Sequence, residues 1–364
     1  MTDAEIRSQP FSLSKADYAA FYLSTYFRSF VAFPKALVIW LVAFAAAAAV
    51  AFGDLARGQY LQAILILLAV VAVWFGVIPA LGLASMMRTL SRTRHSYLPR
   101  VAIVSDAMLA IEGDGFADRR AWSQFKRLRV TSGCLYLMVT SGSAMIVPAS
   151  AFAGPAERDL FIAACRRHIT GSADRHAQVF ETPMVSAPLQ GEQEAPPHRL
   201  GFRVWAALYL FALIRGLLRP TVWLIAAGIA GFTAWTHRDR IAAGDLSSLI
   251  LAAGAMGVWL LIFLPLMTFL AWRTARTKPA LRSERRLSIS PAQVRVHGEG
   301  FDIALGWPVI RRIDRRFGAI QFWTGEAASL ALPLSAFASP DAAQAFQNQA
   351  IAWWQAGHNA PPKV

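Results

Sequence analysis

The sequence predicts an integral membrane α+β protein of two tandem units, each a two-helix transmembrane hairpin followed by a small β module with a C-terminal helix. Three observations lead to this fold class. The chain of 364 residues is 55% hydrophobic and only 16% charged, against about 25% charged residues in an ordinary soluble domain. It contains four long apolar windows, and its second half repeats its first. Its formal net charge is +14, and an apolar, basic chain is typical of membrane proteins with basic cytoplasmic segments.

Four windows without Asp, Glu, Lys or Arg are long enough for transmembrane helices, which need roughly 20 apolar residues. They pair into two predicted hairpins, 36–87 and 220–272. The alternative is a set of buried core helices, but a soluble protein of this size rarely holds four such runs. The predicted spans are 36–53, 61–87, 220–237 and 246–272.

The flanking charges predict the orientation of the hairpins. The segments that follow them, 88–100 and 273–286, are strongly basic, whereas the turns within them, 54–57 and 238–245, are nearly balanced. The positive-inside rule places basic flanks in the cytoplasm. We therefore expect a multi-pass protein of the bacterial inner membrane with both termini cytoplasmic. The first 35 residues lack the pattern of a cleavable signal peptide.

A lead-in segment precedes each hairpin. Residues 11–35 mix aromatic and polar residues at near-helical spacing, which predicts an amphipathic helix at the membrane interface or under the bundle. The second lead-in, 199–219, is more apolar, and whether 202–219 inserts as a fifth span stays open. Arg203 and Arg215 leave only 11 uncharged residues between them, which is short of a span.

The two halves of the chain are related by a constant shift. Residues 105–152 align with 290–337 at an offset of 185 without a gap, with 12 identities in 48 positions. The identities include Trp122 with Trp307. This self-similarity predicts a tandem duplication, with both units in the same orientation because each has an even number of spans.

Each predicted hairpin is followed by a short β pattern. Six apolar or alternating runs between 101 and 148 are separated by glycine turns, and a helix is predicted to begin near Pro155. Six strands closed by one helix is the plan of a small PH-like barrel or sandwich. The two modules are predicted at 95–168 and 285–357. The segment 169–198 between the units is rich in small, polar and proline residues, which indicates a flexible linker.

Several of these runs resemble the YcxB-like family of bacterial membrane proteins. They are Ile103–Phe116, Trp122–Phe125 and Ile146–Phe152, together with the opening segment SLSKADYAAFYLSTYFRS. The resemblance implies a unit with a polar lead-in, two spans and a C-terminal PH-like domain, over 11–168 and, in a more diverged copy, 199–357. The second copy has Pro308 in place of Ser123 and an aliphatic lead-in. The resemblance implies an architecture and no reaction.

No residue pattern indicates a catalytic, cofactor or metal site. The seven histidines are scattered, the two cysteines lack CxxC spacing, and neither an HExxH motif nor a phosphate-binding loop occurs. Asp114 and Glu299 lie between glycines, which favours turns over acid–base chemistry. Trp122 and Trp307 are a ligand platform or core side chains, and the core role is favoured in so small a module. We expect a non-enzymatic protein.

The basic side chains have two interpretations. Membrane topology is sufficient to explain them, and contact with anionic lipid headgroups is the alternative. A protein partner and the oligomeric state stay open, nucleic acid is not expected, and a transporter or passive pore is the alternative function. The candidate lipid contacts are Arg88, Arg92, Arg94, Lys126, Arg127 and Arg129, with Arg311, Arg312, Arg315 and Arg316 as counterparts in the second module.

Overall fold

The fold is taken from a computed structural model of the chain. It describes residues 5–32, 78–91, 97–131, 133–140, 143–173, 190–217, 283–325 and 329–359, and isolated positions at 76, 231, 238, 242–243, 268–269 and 272. The helices within these ranges are α1 (Lys15–Ala32), α2 (Ile78–Ser91), α3 (Pro155–Ala173), α4 (Phe202–Leu217) and α5 (Pro340–Asn359).

The predicted fold class is corrected by these helices. Across the described ranges, no helix has both the length and the apolar content needed to cross a bilayer. The described strands form antiparallel sheets, and the prediction of a four-span integral membrane protein is wrong. The fifth span that the sequence left open over 202–219 has no support in the described part of α4.

The predicted cellular location depended on the predicted spans and is corrected with them. The windows 36–53, 220–237 and 246–272 lie outside the described residues apart from isolated positions, and 61–87 is described only at residue 76 and from Ile78. A multi-pass inner-membrane protein with cytoplasmic termini was inferred from those windows and their flanking charges, and it is withdrawn. The transporter or pore required the same helices and is not taken further.

The chain forms two compact units. The first contains Met1–Phe21, Met87–Trp205 and Lys278–Val364, and therefore both β modules. The second contains Tyr22–Met86 and Ala206–Thr277. Within the second unit, α1 and α2 approach closely at Gly82, where an added Cβ would overlap the Tyr22 hydroxyl group.

The six strands predicted for module 1 are present, and a seventh precedes them. Glycine turns separate several of them. One lies at Gly115, whose φ of 74° is a conformation that a residue without a Cβ adopts without strain. The strands are β1 (Ile6–Arg7), β2 (Arg100–Val104), β3 (Met108–Gly113), β4 (Phe116–Ala121), β5 (Arg127–Val130), β6 (Cys134–Thr140) and β7 (Ser143–Pro148).

Module 2 has the same order of elements. From β9 onward, each strand overlaps the position expected from the offset of 185, and α5 follows as α3 does in module 1. The strands are β8 (Gln193–Glu194), β9 (Arg285–Ile289), β10 (Gln293–Gly298), β11 (Phe301–Gly306), β12 (Arg312–Arg316), β13 (Ala319–Trp323) and β14 (Ser329–Pro333).

The two modules share one antiparallel sheet of eight strands, in the order β1-β2-β3-β4-β11-β10-β9-β8. The joint is β4 against β11, where Asp118 pairs with Ile303, Phe116 with Leu305 and Arg120 with Phe301. Asp118 and Ile303 are equivalent at the offset of 185. The register therefore gives the joint a pseudo-twofold axis through this pair, as in an isologous dimer.

Both cores lie on the same face of this sheet. Ile111 pairs with Asp118 and Val296 with Ile303, and directly paired residues of antiparallel strands point to the same face. Ile111 belongs to the core of module 1 and Val296 to that of module 2. Each core is completed by a three-stranded sheet, β5-β6-β7 or β12-β13-β14, and by the helix that ends the module.

The tryptophans at equivalent positions are core residues. Trp122 is 4% exposed and Trp307 is 1% exposed. Each indole nitrogen donates to a backbone oxygen, at 2.8 Å to Ser105 and 3.0 Å to Ser290. Trp307 also lies against α5, since a Cβ added at Gly357 would come within 2.6 Å of the Trp307 Cβ. Buried rings with satisfied N–H groups fit the core interpretation over a ligand platform.

Each module begins earlier in the chain than the repeat predicted. The lead-in residue Phe11 forms a β-bridge with Arg100, and His198 forms the equivalent bridge with Arg285. Helix α3 extends to Ala173, and β8 lies within the segment predicted as a linker. Two-residue strands thus close both edges of the long sheet, and short edge strands protect a sheet against pairing with other chains.

Helix α1 begins with a reciprocal cap against module 1. The Ser14 backbone N–H donates to Asp17 at 2.8 Å, and the Asp17 backbone N–H donates to the Ser14 hydroxyl at 3.2 Å. Farther along, the Phe21 ring lies 5.4 Å from that of Tyr136 on β6. The segment predicted as an interfacial lead-in therefore packs its first turns on the β module.

Candidate anionic-surface site

The structure gathers half of the predicted lipid contacts on one strand. Lys126 precedes β5, and Arg127 and Arg129 lie in it. Arg88 is an exposed residue of the last turn of α2. Arg92 and Arg94 lie outside the described residues. The candidate site in module 1 is therefore the basic strand at 126–129.

The basic strand of module 1 is set by the core beside it. Phe125 is 3% exposed and fixes the start of the strand, while Lys126 donates its backbone N–H to the Met138 oxygen at 2.8 Å. Lys126 and Arg127 are exposed. The Arg129 guanidinium lies 5.6 Å from the centre of the Tyr136 ring, a cation–π contact that holds its side chain on the sheet.

Module 2 has basic residues at the equivalent place. Arg311 and Arg312 stand where module 1 has Lys126 and Arg127. Arg312 is exposed, and its guanidinium lies 5.1 Å from the centre of the Trp323 ring. A basic pair therefore follows the buried tryptophan turn in both modules.

One acidic residue organises the basic strand of module 2. Asp314 Oδ2 forms ion pairs with Arg312 Nε at 3.0 Å and with Arg316 Nε at 3.2 Å, and Asp314 Oδ1 accepts a hydrogen bond from the Trp323 indole nitrogen at 2.7 Å. Asp314 replaces Arg129 of module 1. Its carboxylate offsets one of the positive charges that 311–316 carry, and it aligns two arginine side chains on one face of β12.

The hairpin that follows β12 was not identified from the sequence. Arg316 pairs directly with Ala319, so Phe317 and Gly318 form a two-residue turn. Phe317 has a φ of 56° and is 36% exposed. The sequence Arg-Phe-Gly carried a signal, because a glycine second in a two-residue turn is typical of a hairpin, but the phenylalanine before it is not.

A buried ionic network at the joint was also missed. Arg295 donates to the two carboxylate oxygens of Asp302 at 2.8 and 2.9 Å, and the Arg295 and Asp302 side chains are 5% and 1% exposed. Arg119 bridges Asp302, at 3.3 Å, to Glu112, at 2.6 Å. Burial lowers the pKa of the Arg119 guanidinium, but the two carboxylates outweigh it and the pKa is raised.

The two thiols are kept protonated by their surroundings. Burial, with a smaller contribution from Asp17, raises the pKa of Cys134 to about 11, and the Cys134 thiol donates to Asp17 at 3.3 Å. Burial raises the pKa of Cys165 to about 12. A nucleophilic cysteine needs a lowered pKa, so neither thiol is activated. Within the described ranges, His, Cys, Asp and Glu form no group of three or more suited to a metal ion.

Comparison with known proteins identifies a domain in the first module. A family model described as YcxB-like protein matches residues 105–165. The match runs from the end of β2 into α3 and includes the basic strand at 126–129. No curated protein matches the chain, and no solved structure does.

Proposed function

We propose that the chain is a non-enzymatic binding protein in which two PH-like modules, produced by tandem duplication, contact anionic lipid headgroups through their basic strands. The surface consists of Lys126 and Arg127 in module 1 and of Arg311 and Arg312 in module 2. The headgroup phosphates are the ligands, and guanidinium groups suit them because their N–H groups match phosphate oxygens.

The repeated basic pair is the observation that carries the proposal. Elsewhere in the repeat the two modules differ in charge, as with Arg129 against Asp314 and Ala117 against Asp302. Both modules nevertheless have two consecutive basic residues directly before or at the start of their edge strand. Both pairs have an exposed arginine, Arg127 in one and Arg312 in the other.

The symmetry of the β4–β11 joint supports simultaneous contact of the two basic pairs with one surface. Equivalent points of a pseudo-twofold arrangement lie at equal height along its axis. The axis passes through Asp118 and Ile303, and both cores lie on one face of the sheet. A flat surface perpendicular to that axis can therefore meet both basic pairs at once, and two linked contacts bind more tightly than one.

The element order supports the PH-like interpretation and the duplication. Each module has four strands of the long sheet, then three strands of a second sheet, then one helix. The offset of 185 relates the β4 and β11 hairpins, the tryptophan turns and the final helices. The plan inferred from the sequence was six strands closed by one helix, and each module has a seventh strand in addition, β1 in module 1 and β8 in module 2.

The positive charge on these edge strands has a second explanation, protection of the sheet edge, which the vesicle experiment below distinguishes from lipid contact. Natural sheets place lysine and arginine on edge strands to prevent pairing with other chains, and β5 and β12 are edge strands of their sheets. Edge protection requires only that the side chains be charged. Lipid contact requires in addition that binding depend on the charge of the vesicle.

Vesicle flotation of the full chain tests the proposal. We compare vesicles of phosphatidylcholine with vesicles that contain roughly one-third phosphatidylserine. The test variant has Lys126, Arg127, Arg311 and Arg312 changed to glutamine. Each basic side chain near an anionic surface is worth about 1 kcal/mol, so we expect the anionic preference to fall by roughly a hundredfold or more.

A matched variant controls for net charge. It loses four exposed basic residues that lie outside the two strands: Lys15, Arg166, Arg199 and Arg203, each changed to glutamine. This control should keep most of the anionic preference. A wild-type chain without anionic preference, or equal losses in the two variants, would rule out the basic strands as the contact.

A further inference from the structure

One carboxylate holds two arginine side chains next to each other on β12. Arg312, Asp314 and Arg316 are alternate residues of the strand and therefore share one of its faces. The Nε atoms of Arg312 and Arg316 both form ion pairs with the same oxygen, Asp314 Oδ2, at 3.0 and 3.2 Å. Two cations that repel each other are thereby kept adjacent, although they are not neighbours in sequence.

The position of Asp314 is fixed by the neighbouring strand. The Trp323 indole nitrogen donates to Asp314 Oδ1 at 2.7 Å, and Trp323 is only 2% exposed. The Arg312 guanidinium also lies 5.1 Å from the centre of the Trp323 ring, a cation–π contact. The carboxylate and the first arginine are therefore both held by the same buried tryptophan.

Attraction to an anionic surface does not account for Asp314. A carboxylate on the basic strand lowers its positive charge, and the equivalent position of module 1 holds Arg129. The two ion pairs also contribute little to stability, because the Arg312 and Arg316 side chains are 47% and 49% exposed and exposed ion pairs are weak. What the carboxylate adds is a defined geometry for two half-exposed guanidinium groups.

Two adjacent guanidinium groups match a phosphomonoester. Each guanidinium has a planar fork of N–H donors that suits phosphate oxygens. A phosphomonoester has three terminal oxygens and a charge of about −1.5 to −2 at pH 7, which provides acceptors and charge for both forks. A phosphodiester has two terminal oxygens and a single negative charge. The pair of arginines therefore favours the monoester.

We propose that Arg312 and Arg316, positioned by Asp314, form a site for a phosphomonoester group in module 2. This inference rests on the proposed function and names the headgroup chemistry that module 2 selects. Module 1 has Arg129 in place of Asp314 and Thr131 in place of Arg316, so it contributes charge to the contact without this selectivity. A lipid headgroup and a small phosphorylated molecule present the same chemistry to the site, and the experiments below distinguish them.

Vesicles with two anionic headgroups test the selectivity of the full chain. One set contains phosphatidic acid, a phosphomonoester, and the other contains phosphatidylserine, a phosphodiester, both in phosphatidylcholine and adjusted to equal surface potential. We expect wild type to bind the phosphatidic acid vesicles roughly tenfold more tightly, the effect of one additional hydrogen bond between charged groups. Equal affinity for the two sets would overturn the site.

Asp314→Asn separates positioning from charge, because the two effects have opposite signs. The change makes the chain more positive, so a purely electrostatic surface would bind both vesicle sets more tightly. If Asp314 positions the arginines, the affinity for phosphatidic acid should instead fall by roughly tenfold, since two long side chains must then be ordered on binding. The affinity for phosphatidylserine should not fall. Phosphatidic acid affinity at or above the wild-type value would overturn the positioning role.

Asp114→Asn is the matched control for this charge change, because Asp114 is an exposed turn residue of module 1. It should lower neither affinity. Asparagine at 314 can still accept from the Trp323 indole, and urea unfolding of both variants checks that the fold is intact. A loss of phosphatidic acid affinity that is equal in the two variants would contradict a specific role of Asp314.

Arg316→Lys keeps the charge and removes the planar fork. It should abolish most of the preference for phosphatidic acid and leave the affinity for phosphatidylserine unchanged. Arg127→Lys makes the same change in module 1, where no preference is expected to arise, and should leave the preference as in wild type. A preference that survives Arg316→Lys would rule out the two-guanidinium site.

Titration with inorganic phosphate in the absence of vesicles distinguishes the sources of the ligand. For a lipid headgroup, phosphate should bind far more weakly than phosphatidic acid vesicles. Comparable binding that Asp314→Asn abolishes would support the site with a soluble phosphomonoester, and together with no anionic vesicle preference it would overturn the proposed function. A preference for anionic vesicles that depends on Lys126 and Arg127 but not on the kind of headgroup would keep the proposed function and overturn the site.

Discussion

Arg119 of β4 donates to Asp302 of β11 across the joint between the two modules, with Nη1 3.3 Å from Oδ2. The pseudo-twofold axis relates this pair to Ala117 and Ala304, which are also directly opposite. The joint thus has an ion pair on one side of its axis and two alanines on the other. Pairing of β4 with a second β4 would place Arg119 opposite alanine twice, so the network favours the pairing of unlike modules.

Asp302→Asn should strongly destabilise the joined sheet. The change removes the carboxylate that pairs with Arg295, whose side chain is 5% exposed, and loss of one partner of a buried ion pair costs about 3–5 kcal/mol. We expect that decrease in the free energy of unfolding by urea. Arg119→Ala should cost only about 1 kcal/mol, since Asp302 keeps Arg295.

Asp114→Asn is the control for Asp302→Asn, because Asp114 is an exposed turn residue. Its free energy of unfolding should differ from that of wild type by less than about 0.5 kcal/mol. Equal stability of Asp302→Asn and Asp114→Asn would show that the network contributes nothing to the joint.

Gly357→Ala should destabilise module 2 although alanine is the better helix former. In an exposed helix interior the change would stabilise by up to about 1 kcal/mol. At Gly357, however, the added Cβ would lie 2.6 Å from the Trp307 Cβ, and forced overpacking costs about 1–3 kcal/mol. Gly154→Ala, where an added Cβ meets nothing within 4 Å, should be tolerated. Thermal unfolding distinguishes the two, and a stabilised Gly357→Ala would refute the close packing of α5 on Trp307.

The substitution Asp17→Asn should change the pH dependence of alkylation at Cys134 and leave that at Cys165 unchanged. Burial and Asp17 raise the pKa of Cys134 to about 11, so at neutral pH both thiols of the folded chain should react slowly. Asp17→Asn removes a negative charge and should lower the pKa of Cys134, so that its alkylation begins at lower pH. Cys165 is the internal control and should be unchanged. Equal pH profiles of Cys134 in wild type and Asp17→Asn would contradict the contact.

The same thiols predict the sign of the alkaline stability change. Each folded pKa lies above the ordinary value of 9.0. Stability from keeping these thiols protonated is therefore complete below pH 9 and is lost as pH rises toward 11. Cys134→Ser should flatten this decline in urea unfolding measured between those values. A decline as steep as that of wild type would mean that other groups cause it.

The strands of the β modules could be read from the sequence because their signals are local. Alternation of apolar residues and the glycines at 113, 115 and 133 predicted six strands, and the repeated tryptophan was correctly assigned to the core. The pairing of β4 with β11 could not be read, since an edge strand does not specify its neighbour. β1 and β8 are only two residues long, which is too short for a periodic pattern.

The membrane prediction failed for a related reason. Hydropathy reports the apolar content of a window. It does not determine the length of a helix, nor whether lipid or protein surrounds that helix, and the prediction inferred both from it. Part of the candidate site could be read from the sequence: Arg127 and Arg129 lie in β5 and Lys126 directly precedes it, because neighbours in sequence stay neighbours in an extended segment. The turn at Phe317 and Gly318 was missed because its distinguishing feature is a pair of backbone angles, and Asp302 was missed because its partners come from β4 and β10.

Vesicle titration of the two basic pairs, removed one at a time, tests the central claim most directly. One variant has Lys126→Gln with Arg127→Gln, and the other has Arg311→Gln with Arg312→Gln. If both modules contact one anionic surface, each variant should bind phosphatidylserine vesicles more weakly than wild type, and the combined variant should bind more weakly than either. Wild-type affinity in both two-residue variants would contradict the account.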